Sequence, residues 1–229
     1  MSDFVITPPL QPSLAIHKSA KRFPLRRVFC VGRNYEAHIR EMGNDTREPP
    51  FFFTKPADAV IESGREIAFP KQTKDLHHEV ELVVALGSGG SDLAASDAAR
   101  LIWGACVGID LTRRDLQAEA KKKGRPWDMA KGFDQSAPMA PLVPVADVSS
   151  LSEGAIWLDV NGQNRQRADL ADMIWPVADC IAHLSSMVAL APGDVIMTGT
   201  PAGVSALTPG DVVTAGVIGL PEVTLKVAP

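Results

Sequence analysis

The sequence predicts an α+β fold that is mostly β, with a mixed sheet rolled or packed into a β-sandwich or barrel. Three observations support this: predicted strands outnumber predicted helices, they do not alternate as in βαβ units, and turn signals are frequent. Asn161-Gly162 is the strongest of these signals, because Asn-Gly suits the type I′ turn of a two-residue hairpin. We find no linker, and we expect an N-terminal arm over residues 1–22 and one domain over 23–229.

The first half of the chain is predicted to hold four strands and three short helices. The arm is expected to be loose or to form a small edge strand. The strands are predicted over 27–32, 60–61, 79–86 and 104–110. The first helix follows Asn34, its expected N-cap, and stops at Gly43. The second helix covers 96–102. The third opens at the Thr-x-x-acid capping signal of Thr112 and Asp115, and it ends at Lys123, one residue before Gly124.

The second half begins with the predicted hairpin, whose strands cover 155–160 and 163–167. A helix is predicted to start at Pro176 and to run to about Val188, because proline is favoured in the first helical turn. Two Pro-Gly-Asp turns, at 192–194 and 209–211, lead into strands over 195–198 and 212–217. A last alternating strand is predicted over 223–227.

Composition excludes several classes of protein. The 229 residues are 45% hydrophobic and carry 23 basic and 27 acidic side chains, for a net charge of −4. A disordered chain would have fewer apolar residues and a larger charge imbalance, and a general nucleic-acid-binding domain would be basic.

Cysteine usage and hydropathy predict a cytoplasmic protein. Cys30, Cys106 and Cys180 lie in separate apolar runs without a CxxC pair, so we expect buried, reduced thiols rather than disulfides or a thiolate metal site. The N-terminal residues lack the pattern of a secretory signal. No apolar run approaches the ~18–20 residues of a membrane helix.

Three acidic residues stand at the ends of predicted buried strands. Glu79 and Glu81 are two residues apart and therefore project from the same face of a strand. Asp110 follows another apolar run. Three such carboxylates would bind one octahedral divalent ion, because hard oxygen ligands select Mg²⁺, Ca²⁺ or Mn²⁺ over zinc. The alternatives are a solvated edge strand for the two glutamates and a helix N-terminal charge for Asp110.

Other polar residues have both a catalytic and an ordinary interpretation. His38 and Glu41 are three apart on the first predicted helix, so the carboxylate can orient the imidazole as a general base; such pairs are also common on exposed helices. Lys131 lies among apolar residues, where a lysine usually extends to the surface. Lys121-Lys122-Lys123 is interpreted as a solvated helix end rather than an RNA-binding patch. The stretch 198–203 offers backbone N–H groups and hydroxyls to an anionic ligand.

Several stretches together resemble the fumarylacetoacetate hydrolase family, and within it the short acylpyruvase and fumarylpyruvate hydrolase branch. They are VGRNYEAHIREMG (31–43), DLHHEVELVVALG (75–87), GIDLTRRDLQAEAKKKGRPW (108–127), AKGFDQSAP (130–138), VNGQNRQ (160–166) and PGDVIMTGTPAGV (192–204). The segment EPPFFFTKP (48–56) resembles the fumarylpyruvate hydrolases in particular. The first 22 residues match nothing in the family.

The resemblance implies a role for individual residues and a fold of the family's C-terminal domain type, usually in a homodimer. Glu79, Glu81 and Asp110 match the family's ligands for Mg²⁺ or Mn²⁺. The catalytic positions of the family are matched by His38, Glu41 and Lys131. Positions near the substrate are matched by Arg33, Gln117 and Thr200.

The activity that the resemblance implies is metal-dependent hydrolysis of a 2,4-dioxo acid, an acylpyruvate, to pyruvate and a second acid, which is fumarate if the substrate is fumarylpyruvate. The enzymatic alternatives are oxaloacetate decarboxylation and isomerisation or decarboxylation of an intermediate of aromatic catabolism. The non-enzymatic alternative is a metal-binding protein without turnover. Such a protein would need only the carboxylates, so the presence of His38, Glu41 and Lys131 argues against it.

Overall fold

Strands dominate the part of the chain that the computed structural model describes, which is residues 4–36 and 49–229. The strands are β1 (Ser13–Ala15), β2 (Arg22–Pro24), β3 (Arg27–Gly32), β4 (Phe51–Lys55), β5 (Val60–Glu62), β6 (Arg65–Ile67), β7 (Leu76–His78), β8 (Val80–Leu86), β9 (Ile102–Ile109), β10 (Thr112–Arg113), β11 (Ala137–Met139), β12 (Val143–Pro144), β13 (Ala155–Val160), β14 (Gln163–Asp169), β15 (Asp194–Met197), β16 (Ser205–Leu207), β17 (Val212–Val217) and β18 (Val223–Val227). The helices are α1 (Ala95–Ala98), α2 (Arg114–Lys122), α3 (Asp128–Lys131) and α4 (Val177–Ser185). None of these described helices has the length and apolar composition needed to cross a membrane.

The largest sheet holds the most deeply buried strands. Its order is β4-β3-β15-β8-β9-β11-β5, with β12 paired to β9 off this path. Every residue of β8 is buried, and β9 is buried except for Trp103. Strands covered on both faces are apolar without alternation, which is why the runs at 80–86 and 102–109 show almost no polar residues.

A second sheet, of order β14-β13-β17-β18-β6, packs against the first. In β13 the buried residues alternate, with Ile156, Leu158 and Val160 facing inward. β17 and β13 lie against β8, and β17 also contacts β9. The predicted mostly-β fold with a mixed sheet packed as a sandwich is therefore confirmed.

A small third sheet positions the functional residues. β7 pairs with β10 on one side and β16 on the other, in the order β10-β7-β16. One residue, Glu79, separates β7 from β8, and two residues separate β9 from β10. Short connections of this kind keep the ends of β8 and β9 close to the loop that precedes β16.

The predicted hairpin turn and the predicted end of the third helix were both confirmed, because each depends on the φ preferences of one or two residues. Asn161 and Gly162 both have positive φ, 53° and 74°, as a type I′ turn requires, and β13 and β14 pair on either side. Gly124 has φ 61° directly after the C-cap of α2.

The predicted capping signal at Thr112 was wrong. Thr112 lies in β10, and α2 starts at Arg114 with no side-chain cap. Asp115 instead accepts hydrogen bonds from Thr73 Oγ1 (2.6 Å) and from the backbone N–H of Lys74 (2.9 Å). The pairing of β10 with β7 extends the chain where a local motif would have begun a helix.

Asn34 bonds to other parts of the fold. Its buried amide donates to the carbonyls of Trp175 (2.9 Å) and Thr198 (2.8 Å), and its oxygen accepts from the N–H of Trp175 (2.8 Å). The helix predicted after it, up to Gly43, falls largely on residues 37–48, outside the described part of the chain.

The arm ends in a hairpin against the domain. β1 pairs with β2, and Leu14 is buried between them and the core. Leu142 joins this hairpin through backbone bonds with Ala15 (2.9 Å) and His17 (2.8 Å). The three cysteines are free thiols in the core, as predicted.

Candidate active site

Three carboxylates converge where β8 and β9 pair. Glu79 precedes β8, Glu81 is its second residue, and Asp110 directly follows β9. The antiparallel register places Glu81 opposite Gly108, and the N–H of Asp110 donates to the carbonyl of Glu79 (2.8 Å). One oxygen from each carboxylate lies within 4.8 Å of the other two. The sequence separated Asp110 from the glutamates by about thirty residues, and the strand pairing brings them together.

This acidic cluster is buried, which is unusual for three carboxylates. Glu79, Glu81 and Asp110 are 5%, 1% and 0% exposed, so the alternative of a solvated edge strand was wrong. Burial is the main cause that raises the pKa of Glu81 well above its usual value, and the charges of Asp110 and Glu79 raise it further. A bound cation would relieve this repulsion.

The cluster fits a hard divalent cation. Its ligand atoms are all carboxylate oxygens, the type that Mg²⁺ and Mn²⁺ prefer. Asp110 Oδ1 is buried and accepts no hydrogen bond from the described residues; Lys55 Nζ lies 2.8 Å away without hydrogen-bond geometry. The three residues can therefore bind a divalent metal.

Lys131 extends into the same cluster rather than to the surface. It is the last residue of α3 and is 2% exposed. Its Nζ donates to Glu79 Oε2 (2.8 Å), Asp110 Oδ2 (2.7 Å) and Thr112 Oγ1 (2.6 Å). Burial alone would lower the pKa of Lys131, but Asp110 and Glu79 outweigh it and raise the pKa, so the ammonium stays charged.

Two further cations at the cluster were missed by the sequence analysis. Lys55, at the end of β4, is 2% exposed and also donates to the carbonyl of Leu111 (3.1 Å). Arg114 donates to Glu79 and to Gln117 Oε1 (2.6 Å). Lys55 comes after the apolar residues of β4, just as Lys131 comes after apolar residues. This shared context is the one sequence signal that could have identified Lys55 as a site residue.

The acidic cluster opens into a cavity with about 450 Å³ of empty space, part of which is open solvent. Four residues singled out in the sequence line it, namely Arg33, Gln117, Lys131 and Thr200, together with Glu79 and Glu81. Arg33 adopts positive φ (60°), as the chain turns at the end of β3. The structure thus brings these predicted residues to one wall, with Asp110 behind them.

Cations and aromatic rings form the rest of the wall. Arg33 lies over Phe51 (5.4 Å from the guanidinium carbon to the ring centroid), and Lys121 Nζ lies over Trp127 (5.0 Å). Partial burial lowers the pKa of Lys121, and Arg114 and Arg33 lower it further. The predicted solvated helix end is confirmed, because Lys121, Lys122 and Lys123 are all exposed at the C-terminal end of α2. Lys121 also lines the cavity, because it is one helical turn from Gln117.

The polar groups of residues 198–203 have different partners, and one of them faces the cavity. The Thr198 hydroxyl donates to the carbonyl of Leu82 (2.9 Å), and the N–H of Gly199 donates to Glu81 Oε2 (2.7 Å). Gly199 has φ 99°, a conformation that favours glycine. Thr200 is the member of this stretch that lines the cavity.

His38 and Glu41 lie outside the described residues, so their predicted pairing stays a prediction. The described residues on the two sides of that segment, Arg33 and Phe51, both line the cavity.

Comparison with known proteins gives consistent matches over most of the chain. Residues 27–228 match the model of the fumarylacetoacetate (FAA) hydrolase C-terminal family. A fumarylpyruvate hydrolase of Ralstonia sp is 43% identical, over 80% of this chain and 94% of that protein. The mitochondrial oxaloacetate tautomerase FAHD1 of Arabidopsis thaliana is 42% identical, over 88% of this chain and 90% of that protein.

The structure has close neighbours as well. The crystal structure of fumarylpyruvate hydrolase from Pseudomonas aeruginosa, in complex with Mn²⁺ and pyruvate, superposes with a TM-score of 0.96 at 48% identity, covering 99% of each chain. The 5-carboxymethyl-2-hydroxymuconate delta-isomerase of Mycobacterium smegmatis superposes with a TM-score of 0.80 at 36% identity, covering 90% of this chain and 80% of that one.

Proposed function

The chain belongs to the fumarylacetoacetate hydrolase family, and we propose that it is a divalent-metal-dependent hydrolase that cleaves the carbon–carbon bond of a 2,4-dioxo acid. The substrate is fumarylpyruvate, and the products are pyruvate and fumarate. One observation carries the proposal: two members of the acidic cluster, Glu79 and Glu81, line one cavity together with the cations Lys131, Arg33 and Lys121. Such a cavity suits a small ligand with a metal-chelating end and a second negative charge.

Glu79, Glu81 and Asp110 would hold Mg²⁺ or Mn²⁺. When bound, the ion would supply Lewis-acid stabilisation of the negative charge that develops on the 2-oxo acid. The Pseudomonas relative was crystallised with Mn²⁺ and pyruvate, which supports this assignment.

Lys131 would stabilise negative charge through its ammonium group. The group is buried and held by Glu79, Asp110 and Thr112, so little reorganisation is needed when charge develops beside it. A fixed positive charge of this kind is most effective where water is excluded.

His38, oriented by Glu41, would act as the general base. It takes a proton from a water molecule, whose oxygen bonds to C4 of the substrate. The C3–C4 bond then breaks, and its electron pair passes to the pyruvate fragment as an enolate, which is protonated at C3. The C4 fragment leaves as the carboxylic acid.

Oxaloacetate is the second candidate substrate. The relatives named oxaloacetate tautomerase are 42% identical in Arabidopsis thaliana and 38% identical in Homo sapiens. Tautomerisation moves a proton and decarboxylation releases CO₂, and neither requires attack by water. These reactions should therefore depend differently on His38 and Glu41.

Steady-state rates on fumarylpyruvate, acetylpyruvate and oxaloacetate, with one enzyme preparation, test the proposal. We expect the highest kcat/KM on fumarylpyruvate, with loss of activity after chelation of divalent ions and recovery on adding Mg²⁺ or Mn²⁺. Faster conversion of oxaloacetate than of either acylpyruvate would favour the second candidate. No turnover of any of the three would support a metal-binding protein without catalytic activity.

A further inference from the structure

A buried carboxamide lies directly behind the cavity wall. Gln166, on β14, is 0% exposed. Its Oε1 is 3.1 Å from the backbone nitrogen of Val80 and 2.9 Å from His78 Nδ1. Its Nε2 is 2.9 Å from both Thr200 Oγ1 and the carbonyl oxygen of Pro201. Gln166 therefore joins β7 and β8 to the loop that carries Thr200.

Two backbone groups fix which way this carboxamide faces. The N–H of Val80 can only donate, so the atom facing it must be the oxygen of Gln166. The carbonyl of Pro201 can only accept, so the atom facing it must be the amide nitrogen. A flipped carboxamide would place its N–H groups against the N–H of Val80 and its oxygen against the carbonyl of Pro201, and unsatisfied buried groups are costly.

The direction of two further hydrogen bonds follows from this orientation. His78 Nδ1 faces an oxygen that cannot donate, so it must carry a proton and donate to Gln166. In the neutral ring, His78 Nε2 then accepts from Ser205 Oγ, 2.8 Å away. At the other end, Thr200 Oγ1 faces an amide nitrogen that cannot accept, so Thr200 must accept from Gln166.

Thr200 consequently has its own hydroxyl hydrogen available. Within residues 4–36 and 49–229, no acceptor bonds to that hydroxyl, and Thr200 lines the cavity together with Glu81 and Lys131. Thr198 differs, because its hydroxyl is committed to the carbonyl of Leu82.

We propose that Gln166 is a positioning residue that holds Thr200 as a hydrogen-bond donor to an anionic oxygen of the bound 2-oxo acid, and that His78 fixes the orientation of Gln166. The identity of the ligand rests on the proposed function, while the direction of the hydrogen bonds does not. The series of hydrogen bonds from Ser205 through His78 and Gln166 to Thr200 thus determines that Thr200 is the donor in its contact with the ligand.

The tautomer of His78 is a direct test in the unmodified protein. In protein labelled with ¹⁵N-histidine, long-range ¹H–¹⁵N spectra at pH 7.5 distinguish protonated from unprotonated ring nitrogens. The His78 signals are assigned by their absence from His78→Asn. We expect a protonated Nδ1; an unprotonated Nδ1 would overturn the proposed orientation of Gln166.

Pyruvate binding, measured by calorimetry in saturating Mg²⁺, tests the role of Thr200. We expect Thr200→Val to weaken binding about 10- to 100-fold, the usual loss for one hydrogen bond to a charged group. Thr200→Ser keeps the donor and should stay within about threefold of the wild type. The matched control is Thr198→Val, which removes a structural hydroxyl and should lower stability without weakening binding.

Gln166→Glu tests whether Gln166 acts through Thr200, because a carboxylate would accept the hydrogen of Thr200 instead of donating to it. We expect it to weaken pyruvate binding about 10-fold in the wild type but less than about twofold in Thr200→Val, since residues acting as a unit are not additive. Equal losses in both backgrounds would overturn the positioning role.

The outcomes also separate this inference from the proposed function. Binding that depends on Thr200 in a protein that fails to cleave fumarylpyruvate would leave the inference intact and contradict the function. Cleavage of fumarylpyruvate by the wild type, with unchanged pyruvate binding in Thr200→Val, would contradict the inference and leave the proposed function intact. If Gln166→Glu does not fold, the His78 tautomer and the Thr200 variants still decide the matter.

Discussion

Glu81 illustrates how neighbouring charges set the chemistry of a single side chain. It is buried with Asp110 and Glu79 close by, and the N–H of Gly199 donates to it. A lone buried carboxylate would be protonated or paired. In this cluster a divalent cation is the partner that can satisfy all three acids at once.

Substituting Glu81 by alanine should abolish stabilisation by metal. A ligand that binds only the native state raises stability by about 2.7 kcal/mol at 100 times its Kd, and two carboxylates should not retain that affinity. The measurement is the melting temperature as a function of Mg²⁺ and Mn²⁺ concentration. Asp97→Ala is the control, because Asp97 is an exposed acid paired with Arg100. An unchanged metal-induced shift in Glu81→Ala would contradict the assignment of this ligand.

His38 should be separable from the metal site. His38→Ala leaves the three carboxylates in place, so stabilisation by Mg²⁺ should persist while kcat on fumarylpyruvate falls by roughly 10²–10⁴, the usual contribution of general acid–base catalysis. Glu41→Ala should lose activity in the same direction, and the double variant should lose far less than the product of the two losses. Full activity of His38→Ala would mean that water is activated by another group.

Lys121 should affect the choice of substrate. Its ammonium lies over Trp127 on the cavity wall, where it can bind the second carboxylate of fumarylpyruvate. We expect Lys121→Met to lower kcat/KM for fumarylpyruvate about 10-fold and for the uncharged acetyl group of acetylpyruvate less than about twofold. Lys123→Met is the matched control, because Lys123 pairs with Glu119 on the same helix. Equal losses on both substrates would exclude a role in recognising the second charge.

At the level of elements, His78 joins three strands. It lies opposite Ser205 of β16 in the register of the small sheet, and it bonds to Gln166 of β14 from its own position on β7. Burial is the main cause that lowers the pKa of His78 to about 4, and the hydrogen bond with Gln166 opposes this only in part.

The lowered pKa of His78 predicts a loss of stability in acid. The unfolded chain binds a proton near pH 6.5 and the folded chain only near pH 4, so the stabilisation is complete above pH 6.5 and is lost as the pH falls through this window. A difference of this size corresponds to about 3 kcal/mol in total. Urea unfolding at pH 7.5 and pH 5 should show a loss about 2 kcal/mol larger for the wild type than for His78→Asn. Equal losses would show that His78 does not titrate in this way.

Local signals predicted some elements better than others. Asn161-Gly162 determined its hairpin because its positive φ values depend on those two residues alone. Thr112 and Asp115 carried an equally local signal, yet Asp115 bonded to Thr73 and Lys74, and β10 paired with β7. Long-range strand pairing overrode the helix cap.

At the scale of the whole molecule, the two packed sheets leave apolar side chains of the arm uncovered. Phe4, Ile6 and Leu10 are 71%, 74% and 94% exposed. Contiguous exposed apolar patches are typical of surfaces that contact another protein, so these side chains are candidates for such a contact.

We propose that the protein forms a homodimer, as the resemblance implies. Sedimentation equilibrium should give twice the 24.5 kDa of the chain. Replacing Phe4, Ile6 and Leu10 together by serine should weaken the dimer if the arm contributes to the interface. A wild-type protein that sediments as a monomer would contradict the proposal.

The sequence by itself determined the mostly-β class, the position of nine of the eighteen described strands and of the main turns, and the residue types of the acidic cluster. These depend on local periodicity, on φ preferences and on charged residues that interrupt apolar runs. The three carboxylates were predicted to act together because each ends a buried strand, and the antiparallel pairing of β8 and β9 is what brings them within 4.8 Å of one another.

Only the tertiary structure decided which other groups complete the site. Lys55, Arg114 and Lys121 look like ordinary surface cations in the sequence, and they reach the cluster or the cavity because β4 and α2 pack beside it. The orientation of Gln166 likewise depends on Val80 and Pro201, which are far from it along the chain. The sequence could not specify these contacts, because the direction of a hydrogen bond and the burial of a charge depend on partners that meet only when the sheets have packed.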